Sequence, residues 1–141
     1  MLVAAAALAG CSQAGQPSAS PSALSSAPTC PNGTSQMDSI QMFFGGAIPG
    51  GGQVAAEQWT QFLNTTITPR FPKGLTVYDT SSQWQDTTTG EVVKEKTHVV
   101  LVVAPHGDTT DQAIKAIREA YKSQFHQQSV MLSDHIDCVD F

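Results

Sequence analysis

An α+β fold is what the periodicities of this 141-residue chain predict. Four strands and two helices follow one another in the order β-α-β-β-α-β, the split βαβ or ferredoxin-like arrangement, in which an antiparallel sheet carries both helices on one face. Three observations lead there. Apolar residues alternate or run continuously over four segments and recur at helical spacing over two others. The first and third strand segments are apolar on both faces, as the two central strands of a sheet ordered 4-1-3-2 should be, while the outer two are more polar. Cys30 and Cys138 fall near the start of the first strand and the end of the last, which this topology sets side by side.

Gln36 to Phe44 opens the domain as a strand, with Ile40, Met42 and Phe44 on one face and Phe43 on the other. GGAIPGGG connects it to a helical segment, Val54 to Ile67, whose Ala55, Trp59, Phe62, Leu63 and Ile67 form one buried stripe. Pro69 and Pro72 are expected to end that helix. Gly74 to Trp84 contains LTVYDTSSQW, β-branched and aromatic enough for a strand, and DTTTG closes a hairpin at Gly90. In the returning strand, HVVLVV is continuously apolar, which suits a strand covered on both sides. Pro105 to Thr110 turns the chain, and Asp108, Thr109 or Thr110 is the expected cap of the second helix. Ile114, Ile117, Tyr121 and Phe125 are its buried stripe. A last strand begins at Ser129 and carries Cys138 near its end.

Residues 30–141 therefore make one domain, and what precedes them reads differently. Met1 to Ala9 is an apolar run too short to span a bilayer. It reads as a signal-peptide core, and Leu8, Ala9, Gly10, Cys11 resembles the bacterial lipobox, which implies cleavage before Cys11 and lipidation of its sulfur. No cationic residue precedes the run, so the signal segment 1–10 is expected to be truncated at its start. Residues 12–29 are almost wholly Ser, Ala, Pro, Gly and Gln and cannot bury enough surface to offset the entropy of ordering. They read as a tether that lets the domain range about 20 to 25 Å from its anchor. The expected location is thus the cell envelope, on a membrane held through Cys11.

Three cysteines is an odd number for an exported chain. Lipidation removes Cys11 and leaves Cys30 and Cys138 to pair in an oxidising compartment, the alternative being two unrelated thiols. A net charge of −5 and a pI near 5.1 argue against nucleic-acid binding, which runs on Lys and Arg. Apolar residues on both sheet faces leave the helix-free face partly apolar. A homodimer through that face, or a shallow cavity there, is the expectation.

FFGG, EQWTQFL, TPRFPKGLTVYD with QW a few residues on, IREAYKSQFHQQSV and the terminal Cys138-Val139 together resemble the bacterial family catalogued as domain of unknown function 3574. The resemblance covers nearly all of residues 37 to 141. It implies a small exported protein or lipoprotein and brings no catalytic residues with it, so candidate sites rest on chemistry alone.

The glycines of Gly45 to Gly52 lie between a strand and a helix, where amides cradle phosphate, but the spacing fits neither a dinucleotide fingerprint nor a P-loop. A turn that glycine relieves of strain is the plainer reading. Four histidines, His98, His106, His126 and His135, lack zinc-site spacing, so no metal or cofactor is expected. His135 and Asp137 share a strand face. The richest cluster is Arg70, Tyr78, Trp84, Glu95 and His98. Arg70, held between Pro69 and Pro72, could clamp a carboxylate, and an Arg70–Glu95 ion pair is expected. Alternation puts Glu95 and His98 on opposite faces unless a bulge intervenes. No GxSxG is present. Two functions fit: a non-catalytic module binding a small molecule or protein partner across its sheet face, or a metal-independent enzyme acting on a small apolar or acidic substrate in a sheet-face cavity.

Overall fold

The computed structural model describes residues 29–86 and 89–141. The expected signal segment, Cys11 and the tether up to residue 28 lie outside the described residues. The elements are β1 (Ser35–Gly45), α1 (Ala56–Phe62), β2 (Thr76–Gln85), β3 (Val92–Pro105), α2 (Asp108–Phe125) and β4 (Met131–Val139). They form one antiparallel sheet ordered β2-β3-β1-β4. The expected βαββαβ fold is therefore present, with β1 and β3 in the middle. No helix among the described residues is long and apolar enough to cross a membrane.

Alternation decides which side of the sheet meets the helices. Ile40, Met42 and Phe44 of β1 and Val100, Val102 and Ala104 of β3 are buried against Trp59, Phe62, Ile114, Ile117, Tyr121 and Phe125. Phe44 is the hub of this layer, with ring centroids 4.8 Å from Tyr121, 5.3 Å from Trp59 and 6.1 Å from Phe62. Tilted and edge-on rings at such distances add to what area burial alone contributes. Four stripe residues of α2 are all buried as expected, and Thr110 joins them. Along the first helical segment, Trp59 and Phe62 of α1 and Ile67 of the turn after it are buried, Leu63 is partly so, and Ala55 lies outside the stripe.

Helix ends differ from expectation in instructive ways. The first helix is not stopped by Pro69: after α1 the backbone widens into a π turn over Leu63–Ile67 and leaves as a 3-10 turn over Thr68–Arg70. A proline lacks the N–H of a regular ladder, and a change of helix type accommodates it where a straight continuation would not. The second helix starts through Gly107, not through the expected Asp108, Thr109 or Thr110. Those residues already sit in the first turn, where Asp108 and Asp111 complement the helix dipole, and Thr110 donates its hydroxyl to Pro105 O at 2.6 Å. His126 closes α2 in a left-handed conformation, φ 54°, the conformation that commonly caps a helix C-terminus. The last strand begins at Met131, two residues after the expected Ser129.

Cys30 and Cys138 form a disulfide across a sequence separation of 108. Gln36 lies opposite Cys138 in the β1–β4 ladder, so the bond joins the chain entering the central strand to the end of the edge strand.

Candidate functional site

Residues at odd positions of β1, β3 and β4 and at even positions of β2 point away from the helices. By register, Phe43, Glu95, Thr97, Ser82, Trp84 and Met131 all share this uncovered face. At one end of it two connections rise above the sheet. The glycine-rich β1–α1 segment supplies Ala47 to Gly50, the α2–β4 segment supplies Gln127 to Ser129, and between them lies a cavity of about 600 Å³. Gln127 Nε2 donates to Ala47 O at 2.7 Å and ties the two walls together. Gly50, Gly51 and Gly52 all hold positive φ, so a tight turn accounts for the glycine run.

Two carboxylates, Asp86 and Glu95, line the cavity, and Glu95 is the one that stands on the sheet itself, on β3. It is half-buried, and its Oε2 accepts the Ala47 N–H at 2.9 Å. Its carboxylate lies directly over Gly45, where a Cβ would stand 2.6 Å from Oε2 and 2.8 Å from the carboxyl carbon. Only glycine at position 45 lets a carboxylate rest there. From the helix side, the Tyr121 hydroxyl donates to Gly45 O at 3.0 Å. Burial and then the nearby Glu95 charge push that phenol well above the ordinary tyrosine range. Thr97 is buried beside Glu95, and its hydroxyl is hydrogen-bonded to that of Ser82. Gly45 and Ala47 were the residues that sequence reasoning passed over individually; the signal was FFGG, a paired glycine at the end of an apolar strand.

Of the five residues of the predicted cluster, Trp84 and Glu95 line this cavity. Tyr78 is on the same face, opposite Val99, and about half exposed. His98 is on the opposite face, as alternation requires and with no bulge in the register. It stacks on Trp59 at 4.2 Å, the rings 4° from parallel, with Nδ1 2.6 Å from Asp79 Oδ1. Arg70 is elsewhere altogether. The expected Arg70–Glu95 pair does not form: Arg70 Nη1 donates to Thr66 O at 2.6 Å. The reason is the hairpin's direction. The chain after Arg70 enters β2 opposite Leu101, whereas Glu95 faces Ser82 late in β2, about 20 Å further along at about 3.4 Å per residue. His135 Nε2 and Asp137 Oδ2 are 3.0 Å apart on their shared face. Among the described residues no three His, Cys, Asp or Glu side chains converge as a metal-ligand set.

Fold and cavity together define a small ferredoxin-like α+β domain with a ligand-sized hollow on the uncovered face of its sheet. The chain belongs to the family described as protein of unknown function (DUF3574), which matches residues 39–141. A phage SAM lyase in complex with S-methyl-5'-thioadenosine has a similar fold, with a TM-score of 0.55 and 13% identity over 81% of this chain and 95% of that one. The same description, phage SAM lyase, applies to an apo structure with a TM-score of 0.54 and 13% identity over 75% of this chain and 90% of the other. Comparison with curated proteins finds no match.

Proposed function

We propose that this protein is a lipid-anchored module of the cell envelope, held through Cys11, that binds a small molecule in the cavity on its open sheet face. The observation that carries the binding reading is the Glu95 carboxylate, fixed by the Ala47 N–H in a hollow of about 600 Å³, within the 300 to 1,000 Å³ range usual for ligand sites; the anchor rests on the lipobox-like Leu8-Ala9-Gly10-Cys11. Phe43, Trp84 and Met131 add apolar and aromatic surface around it. Among the described residues no Lys or Arg lines the cavity, while Asp86 joins Glu95 there, so an acidic ligand would meet two carboxylates and no cation. Ligands that suit the wall are neutral or cationic, flat enough to lie on Trp84, and able to donate a hydrogen bond to Glu95.

Nucleosides and their thioethers meet those requirements. The likeness in fold to a lyase whose complex holds S-methyl-5'-thioadenosine makes that compound the first to try. The enzyme alternative uses the same cavity, with Glu95 as the group that moves a proton.

Titration with S-methyl-5'-thioadenosine, followed by the fluorescence of exposed Trp84, is the test. Saturable quenching that weakens at least about tenfold in Glu95→Gln, the loss of roughly one charge-assisted hydrogen bond, supports the reading. Binding indifferent to Glu95→Gln and Trp84→Phe would overturn it, as would light scattering that reports a dimer with Trp84 protected in the interface.

A further inference from the structure

At the opposite end of the sheet lies a second cavity, about 500 Å³. It sits between the segment Arg70 to Gly74, which leads into β2, and the turn from Val103 to Thr110, which leads from β3 into α2. Its chemistry is the reverse of the first. Arg70, Lys73 and His106 all line it, so two of the chain's seven Lys and Arg side chains stand on one wall of a molecule that is acidic as a whole.

His106 is mounted by a buried carboxylate. Asp38, on central strand β1, is 2% exposed, and its Oδ1 is 2.8 Å from His106 Nδ1, while the imidazole itself is 60% exposed. A carboxylate taken out of water needs a hydrogen-bonded partner of opposite charge. That requirement fixes Nδ1 as the proton-bearing nitrogen and leaves Nε2 for the cavity. Asp38 first, then Asp111 and Asp134, favour the imidazolium and raise the His106 pKa above its ordinary value, which makes Nε2–H a cationic donor. Among the described residues, Asp108, in the first turn of α2, is the one carboxylate on the lining.

We propose that this cavity binds the oxyanion group of a small acidic ligand, phosphate or carboxylate, between Arg70, Lys73 and the Nε2 of His106, with Asp38 as the buried residue that positions the imidazole. Arg70 commits Nη1 to Thr66 O, which holds the guanidinium in place. It is the clamp anticipated from the Pro69–Arg70–Phe71–Pro72 segment, aimed at an external anion and not at Glu95.

The experiment follows the His106 Cε1–Hε1 resonance of the full chain during titration with inorganic phosphate and, separately, acetate at pH 6. A saturable shift with either anion is expected. Arg70→Gln and Lys73→Gln should each weaken it about tenfold, and Glu95→Gln should leave it unchanged. Affinity for acetate, whose charge is constant over this range, should fall as pH rises, because His106, which faces Asp38, Asp111 and Asp134 and shares the lining with Arg70, Lys73 and Asp108, loses its positive charge. His106→Gln strands Asp38 and risks the fold, which is why the rim variants decide the matter. No saturable shift with either anion, or a shift indifferent to Arg70→Gln and Lys73→Gln, would overturn the proposal. A response confined to phosphatidylglycerol vesicles would overturn it too, in favour of a headgroup contact.

Discussion

Replacing both Cys30 and Cys138 with serine removes the one covalent link between the two ends of the domain. The bond closes a loop of 108 residues. In the chain-entropy treatment, 2.1 + 1.5R ln 108 is about 16 cal/mol/K, or about 4.8 kcal/mol at 25 °C, restricted from the unfolded chain. The folded side loses little, since the β1–β4 ladder from Ser35↔Val139 to Phe43↔Met131 does not depend on the bond. Against a typical stability of about 5 to 15 kcal/mol, the loss takes a third or more of what holds the domain together. Melting should fall by roughly 15 to 25 °C for a domain of this size. The assay is urea unfolding of the oxidised protein and the double serine variant, read by far-ultraviolet circular dichroism, with a steeper dependence on urea expected for the variant because its unfolded chain expands further. A difference below about 1 kcal/mol would refute the reasoning, since a clasp this long cannot be nearly neutral if it restricts the unfolded ensemble.

Two further outcomes follow from local geometry. Gly45→Ala brings a Cβ to 2.6 Å from Glu95 Oε2, so the carboxylate must leave the Ala47 N–H, at a cost of about 1 to 3 kcal/mol; in a Glu95→Ser background most of that cost should vanish, and strict additivity in the double-mutant cycle would count against the contact. His106, its pKa raised chiefly by the hydrogen bond to Asp38, contributes stability that is complete below its ordinary value near 6.5 and is lost as pH rises through the raised folded value; the urea midpoint of the wild type should decline over that range, and a midpoint flat across it would count against the pairing.

Much of the fold was legible because strand and helix periods are local. HVVLVV and the paired apolar faces around Phe43 and Phe44 announced the two central strands, and Ile114, Ile117, Tyr121 and Phe125 announced the buried side of α2. Helix ends were less legible. Asp108, Thr109 and Thr110 are good caps by type, but Gly107 stands one position earlier and the chain turns there. The site was legible by face and not by neighbour: alternation separated Glu95 from His98 correctly, whereas the pairing of Arg70 with Glu95 rested on complementary charge, and the direction of the β2–β3 hairpin keeps the two apart. Sequence distance hid the rest. Asp38 meets His106 across 68 positions and Gln127 meets Ala47 across 80, and no spacing rule reaches that far.

From the sequence alone come the order of the elements, the two middle strands, the face each side chain takes and the pairing of Cys30 with Cys138, because each depends on a short period or on the ends of one topology. Only the tertiary structure decides that two connections close over Glu95 at one end of the sheet, while Arg70, Lys73 and His106 gather at the other. Those groupings depend on where loops come to rest once the sheet has twisted and the helices have packed, which is a property of the whole chain and not of any window along it.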